Sequence, residues 1–292
     1  MANPIDLHTH SVYSDGTRTP AQLVAEAAAA GVRVLGLTDH DTVAGVEETV
    51  RLGAEVGVRV IPGVELSTSL PLGVEAVRRV PIHLLGYLID PTDEELGDAL
   101  AYHSRARVRR IRRMVERLGA IGRPVSVERV FVLAGVGTVG RVHVAQALVE
   151  AGHAANVPDA FARLLGRSHP AYVPRPPVDT EDAIRLIQGA GGVPILAHPQ
   201  DYLHQIDLDL LLGRLVPAGL AGLEADYGGY DAATRAGLRA IADRHGLLTT
   251  GGSDFHGPDV KPDRPLGMDP VPEAAVAALD EAAAAIRAGR RA

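Results

Sequence analysis

VRVLGLTDH, residues 32–40, decides the fold: a run of branched and aliphatic residues that stops abruptly at an acid and a histidine. An apolar run of this length, interrupted only by Arg33 near its start and bounded by polar residues, reads as a strand buried on both faces of a sheet. The stretch before it is helical in character. Thr19-Pro20 offers an N-cap with proline at the first helical position, an Ala-rich segment continues the helix, and Gly31 supplies a stop. Further upstream, residues 4–8 read as a strand ending at His8. Downstream, a helix is expected from Thr42 to about Val56, followed by strands at VRVIPGVEL (58–66) and VPIHLLGYLI (80–89). Strands alternating with helices predict βαβ units and a mostly parallel sheet.

The pattern changes near residue 92. From there to about 190 the chain is mainly helical, and its first long helix carries RARVRRIRRMVERL (105–118). GVPILAHP (192–199), AGLEADY (221–227) and LLTTGGSDFH (247–256) then restore the strand pattern. The predicted architecture is an α/β barrel built from residues 1–91 and 191–292, interrupted by a helical insert over 92–190.

Composition narrows the chemistry. Hydrophobic residues make up 46 % of 292, enough for a large core, but aromatics are only 3 %, so Ala, Val, Leu and Ile must fill it. Without cysteine there is no disulfide, no thiolate nucleophile and no thiolate metal site. Any metal is therefore held by His, Asp and Glu, a donor set suited to Zn, Mn or Fe. The net charge of −7 argues against broad coating of nucleic acid. The start, MANPIDLHTH, does not read as a leader peptide, and no stretch is long enough to cross a bilayer. A cytoplasmic protein with no membrane association is expected. Lys261 is the sole lysine, which is read as a compositional bias toward arginine.

Histidines and acids recur where the apolar strands stop. His8 and His10 flank the end of the first strand, with Asp15 close behind. Asp39, His40 and Asp41 follow the second strand and Glu65 the third. His83 lies within the fourth, His198 ends ILAHP, and Asp254 with His256 closes GGSDFH. A lone HxH pair or a lone strand histidine carries little weight. Here, however, six of the twelve histidines fall at or near strand ends, accompanied by carboxylates. In a parallel α/β barrel those ends share one face, where active sites lie. Several such donors on one face imply more than one metal ion.

DLHTHSVYSDG, GLTDHD, PGVELS, LAHP and GGSDFHG together resemble the PHP (polymerase and histidinol phosphatase) superfamily. The segments VGRVHVAQALVEAG and HPAYVPR are similar to its TrpH/YciV-like subgroup of nucleotide-directed phosphoesterases. That resemblance implies a distorted seven-stranded β/α barrel with two or three divalent metals, Mn, Fe or Zn, at the strand ends. Carried over residue by residue, His8, His10, Glu65 and Asp254 would hold the first ion, with Glu65 bridging to a second completed by His83 and His198. Asp15, His40 and His256 would hold a third. The catalytic set implied is His10, Asp15, His40, Glu65, His198, Asp254 and His256. Asp at position 15 favours this subgroup. One local departure is Val142, where the subgroup usually has proline.

The implied reaction is hydrolysis of a phosphate ester by a metal-bridging hydroxide. The implied substrates are 3′,5′-nucleoside bisphosphates or short 5′-phosphorylated RNA, with no stable protein partner. A metabolite phosphatase such as histidinol phosphatase is the alternative, and a non-catalytic metal-binding module a more remote one. By resemblance, Arg141 and His143 would bind a second phosphate, with Arg175 as a weaker candidate. Arg105, Arg109 and Arg112 share one helical face, which reads either as a substrate contact or as a solvated surface. Asp39 and Asp41 are expected to orient histidine ligands or to cap the helix near Thr42. His103, His153, His169, His204 and His245 are expected in the core or at the surface.

Overall fold

A computed structural model describes residues 4–72, 78–174, 178–268 and 271–290. Seven strands form one sheet in strictly sequential order. They are β1 (Ile5–Thr9), β2 (Val34–Leu37), β3 (Arg59–Leu72), β4 (Arg78–Tyr87), β5 (Val193–Leu196), β6 (Gly222–Tyr227) and β7 (Leu248–Gly252). The β1–β2, β2–β3, β5–β6 and β6–β7 pairs are parallel. β4 runs antiparallel to both β3 and β5. Here the simple βαβ expectation gives way: β3 ends at Leu72 and β4 begins at Arg78, too short a connection for a crossover helix, so the chain must turn straight back.

The sheet curls until its two ends meet. Thr9 bridges Phe255, His10 N–H donates to the Phe255 carbonyl at 2.9 Å, and Phe255 N–H to the His8 carbonyl at 3.3 Å. Asp6 fastens the same joint. Its buried carboxylate accepts from Ser253 N–H (2.9 Å), Ser253 Oγ (2.7 Å) and Gly267 N–H (2.9 Å). The result is a distorted seven-stranded α/β barrel.

Helices α1 (Pro20–Ala29), α2 (Val46–Val56), α7 (Thr180–Gly189), α8 (Leu208–Leu215), α9 (Ala232–His245) and α10 (Glu273–Gly289) flank the strands. α1 starts as its sequence predicts, with a capping box between Thr19 and Gln22. α2 starts four residues later than expected. Thr42 closes a local turn by accepting from Ala44 N–H at 3.2 Å, and Gly45 is the N-cap.

The helical segment comprises α3 (Glu94–Ala120), α4 (Val127–Ala134), α5 (Arg141–Glu150) and α6 (Val157–Ala160), the last running into a π turn at Phe161–Leu165. It has its own apolar core, including Ile111, Met114, Leu118, Val130, Leu148 and Leu165. α3 spans the seam: Leu96 and Leu100 pack in the barrel core with Ile184 and Ile187 of α7, whereas Ile111 onward belongs to the second core. Among the described residues no helix is long and apolar enough to cross a membrane.

Candidate metal centre

The ends of β1, β2, β5 and β7, with the middle of β3 and β4, bring nine histidines and carboxylates to one end of the barrel. Glu65 of β3 is the hub. Its Oε2 lies 3.2 Å from both His8 Nε2 and His10 Nε2 and 3.1 Å from His40 Nδ1. Its Oε1 lies 2.7 Å from His83 Nδ1 and 3.1 Å from His198 Nε2. Asp254 Oδ1 approaches His10 Nε2 at 3.2 Å, and Asp15 Oδ1 lies 3.3 Å from His256 Nε2. The structure thus brings together all nine residues singled out in the sequence. His83 arrives from mid-strand, facing Ser67 across the antiparallel β3–β4 ladder.

Three donor sets within this cluster are tight enough to hold an ion: His10, Asp15, His40 and His256; His8, His10 and Glu65; and His40, Glu65 and His83. His10 and His40 each belong to two sets, so the sites are contiguous. The donors also fit a cation chemically. His10 Nε2, Asp15 Oδ1 and His40 Nδ1 are buried yet make no well-directed hydrogen bond, although charged neighbours lie close. Buried polar atoms are normally satisfied. Lone pairs left over around a shared centre are what a metal ion would use.

Backbone strain accompanies the site. Asp41, His198 and Asp254 all take positive φ, at 52°, 29° and 55°. Such conformations are costly for non-glycine residues and cluster at functional positions. Electrostatics is equally polarised. Burial alone would depress the His10 imidazolium, yet Asp254 and Glu65 outweigh it and raise its pKa to about 9. For His198, burial is outweighed by Asp201 and Glu65, and the value rises to about 10. His8 is likewise raised well above its ordinary value against the pull of burial, by Glu224, Asp254 and Glu65. His40, where burial dominates, falls to about 3. Burial would raise Glu65, but the surrounding imidazoles hold its carboxyl well below the usual range.

Several supporting residues escaped the sequence pattern. Glu224 of β6 is fully buried, 3.0 Å from His8 Nδ1, and accepts from His198 N–H at 2.8 Å. It fixes the outer nitrogen of one imidazole and the backbone of another. Its only signal was an acid inside the apolar run AGLEADY. Tyr202 Oη sits 3.2 Å from His198 Nδ1 and receives His83 N–H at 2.9 Å. Asp254 Oδ2 is held by Tyr227 Oη at 2.6 Å and by Lys261, so the sole lysine neutralises a candidate ligand rather than reflecting composition alone.

The Asp39 and Asp41 side chains stand behind the histidines without bonding a candidate ligand directly, and neither caps the helix. Asp39 accepts from Ser11 N–H, Ser11 Oγ and Ser14 Oγ at 2.6–2.7 Å, and Ser14 Oγ in turn lies 3.4 Å from His10 Nδ1. Its hold on a histidine is therefore relayed. Asp41 pairs with Arg107 of α3 and does not cap α2, whose N-cap has no side-chain bond.

Beside His83 opens a cavity of about 210 Å³ lined by Ser67, Ser69, Arg79, Arg110, Arg141 and Arg167. Arg79 is paired with Asp179. Arg110, Arg141 and Arg167 form no ion pair among the described residues. Burial, and then the neighbouring cations Arg141, Arg107 and Arg167, lower the Arg110 guanidinium to about 9. Arg141 lines this cavity, whereas the buried His143 is not among its lining residues and accepts from Gly140 N–H at 3.0 Å through Nδ1. Arg105 and Arg109 do not line the cavity: they lie on the exposed side of α3, as does Arg112, which stacks on Phe131. Arg107 and Arg110 occupy the inward side instead. Arg175 falls outside the described residues. His103 is buried beside Asp41, whereas His153, His169 and His245 bond to Pro124, Ala162 and Asp209, and His204 is exposed.

Comparison with known proteins agrees with this geometry. The PHP domain matches residues 6–114. A 3′,5′-nucleoside bisphosphate phosphatase of Chromobacterium violaceum is 34 % identical over 260 residues, covering 88 % of this chain and 88 % of that protein. The chain belongs to the PHP family. A second PHP relative, a 5′-3′ exoribonuclease of Haemophilus influenzae, is 35 % identical over 88 % of this chain and 92 % of its own length. The solved structure of a Bifidobacterium adolescentis protein assigned as a metal-dependent phosphoesterase matches with a TM-score of 0.86 and 35 % identity, over 97 % of both chains. This PHP chain is accordingly a hydrolytic enzyme, a metal-dependent phosphoesterase.

Proposed function

We propose that the enzyme hydrolyses phosphate esters of nucleotides that carry a second phosphate, either 3′,5′-nucleoside bisphosphates or short 5′-phosphorylated RNA, in the cytoplasm. The observation that carries this reading is the arginine-lined cavity next to the donor cluster. Arg110 is buried and Arg141 half-buried with no carboxylate partner among the described residues, a costly arrangement that is offset when a phosphate dianion enters, and the exposed Arg167 stands at the edge of the cavity. Guanidinium binds phosphate through paired N–H donors. The names of the relatives point to the same substrate class.

In this reading residues 92–190 form an insert that supplies Arg110, Arg141 and Arg167, while residues 1–91 and 191–292 supply the ligands. His8, His10, Glu65 and Asp254 would hold one ion. Glu65, His83 and His198 would hold a second, and Asp15, His40 and His256 a third. Manganese, iron or zinc in these positions would activate water and neutralise charge on the phosphoryl oxygens. The protein's own contribution is orientation. Glu224 and Tyr202 fix His8 and His198 in one rotamer and tautomer. Lys261 and Tyr227 occupy Asp254 Oδ2, leaving Oδ1 to face the cluster. The arginines anchor the remote phosphate so that one ester bond alone reaches the centre.

The deciding experiment is phosphate release by manganese-loaded protein from adenosine 3′,5′-bisphosphate, a 5′-phosphorylated RNA dinucleotide, AMP and histidinol phosphate. Preference for the first two is expected. Preference for histidinol phosphate would move the enzyme to the metabolite-phosphatase branch.

A further inference from the structure

His40 belongs to two of the three donor sets, yet it lies just beyond a four-residue strand, where little regular structure holds it. What fixes it is its neighbour. Asp41 adopts φ 52°, and its N–H donates to the Glu65 carbonyl at 3.0 Å, while Glu65 N–H donates to the Asp39 carbonyl at 3.2 Å. These two backbone bonds clamp His40 opposite Glu65. The unusual conformation persists because the Asp41 side chain is fully engaged. Oδ1 accepts from Ser67 N–H at 2.7 Å, and Oδ2 accepts from Arg107 Nε at 2.8 Å and from Arg107 Nη2.

Arg107 is buried at 6 % exposure and also donates to Ser67 Oγ at 3.1 Å. It reaches this position from α3, outside the barrel strands, and its guanidinium lies by Gly140, the residue preceding α5. It lines neither the donor cluster nor the arginine cavity. A buried guanidinium directed at an aspartate beside a candidate ligand, and at the serine bonded to that aspartate, does more than anchor a helix. Without it the buried Asp41 carboxylate would lose its guanidinium counter-charge and the bonds that hold Oδ2 away from His40, keeping Ser67 N–H at 2.7 Å and His103 Nδ1 at 3.7 Å on Oδ1.

We propose that Arg107 is a positioning residue for the metal position built on His40, Asp15 and His256, acting through Asp41 and touching neither metal nor substrate. The inference rests on the cluster being a metal centre. Removing an outer support of a ligand typically weakens metal binding 10–100-fold. Here the loss should fall on the sites that use His40 and spare the rest.

The test is titration of the metal-free full-length protein with Mn²⁺, followed by calorimetry and by counting bound ions after dialysis. Wild type must bind Mn²⁺; if it binds none, the metal-centre reading fails before this inference is reached. His40→Ala identifies the class of site that depends on His40. Arg107→Met should weaken that same class at least tenfold and leave the others within twofold. Arg107→Lys should recover part of the loss, and Asp41→Asn should reproduce it. Combining Arg107→Met with His40→Ala should add nothing to His40→Ala alone. Equal weakening of every class in Arg107→Met and Arg107→Lys would mark a general structural support and overturn the proposal. Unchanged binding in both would overturn it too, as would a His40→Ala protein that keeps every class of site.

Discussion

Loading the metal-free enzyme with divalent ions at pH 7.5 should expel far more protons than an ordinary histidine site would. His10 and His198 have pKa values raised to about 9 and about 10, and His8 is also raised well above 6.5. In each case burial opposes the shift and the neighbouring carboxylates overcome it. A group with a pKa of 9 is roughly 97 % protonated at pH 7.5, whereas an unperturbed imidazole is only about a tenth protonated. A metal accepts only the neutral ring. Filling the cluster should therefore release about two protons from His10 and His198 alone, against about 0.2 from two ordinary histidines, and the upward shift of His8 adds to that number. Calorimetric titration with Mn²⁺ in two buffers of different ionisation enthalpy reads this number directly. The apparent affinity of each site should also climb between pH 7 and 8.5, by about one log unit per pH unit for each of these protonated histidines that the site uses. The sign for stability is fixed by the same shifts: these pKa values are raised on folding, so the stabilisation of the metal-free protein is complete below about pH 6.5 and fades as pH rises through 9 to 10. Release of fewer than about one proton would refute the electrostatic picture, because the histidines would then be neutral before the metal arrives.

Glu224→Gln keeps the shape but removes the charge facing His8 Nδ1, and should weaken metal binding 10–100-fold with little change in secondary structure, as read by competition with a chelating dye. Arg110→Met should lower kcat/KM for adenosine 3′,5′-bisphosphate by about 1.5–3 kcal/mol and leave turnover of a monophosphate ester nearly unchanged; equal losses for both would remove Arg110 from substrate recognition. Asp6→Ala orphans the Ser253 and Gly267 N–H groups that close the barrel, so chemical denaturation should show a loss of about 2–4 kcal/mol. Chelation by EDTA should lower the melting temperature by roughly 4–5 °C for each ion lost, relative to protein held at a hundredfold excess over Kd.

The donor cluster was legible in the sequence because its chemistry and its topology coincide. His8, His10, His40 and His198 sit where apolar runs stop, and a barrel gathers those stops at one end. The direction of β4 was not legible from periodicity, which is the same for parallel and antiparallel strands; the short link from Leu72 to Arg78 decides it. Within RARVRRIRRMVERL the helical period groups Arg105 with Arg109 and Arg107 with Arg110, but nothing in it tells which side faces inward. The packing of α3 turns the second pair to the interior. Glu224 was hidden by its surroundings, since it shares a buried strand with a second acid, Asp226, and nothing singles it out until His8 is seen against it. Lys261 was visible but set aside, because its partner Asp254 meets it only once the 254–261 turn is folded.

The joint between β1 and the segment after β7 has a consequence for assembly. Each strand pairs with the next along the chain, so six joints can form in order as the polypeptide emerges. The seventh must wait until Phe255 reaches Thr9, at the entropic cost of closing nearly the whole chain into a ring. His8 and His10 stand on one bank of that gap, Asp254 and His256 on the other. An ion bound between them would work as a clasp on the last joint to form, and the chemistry of the centre would then begin only once the barrel is shut.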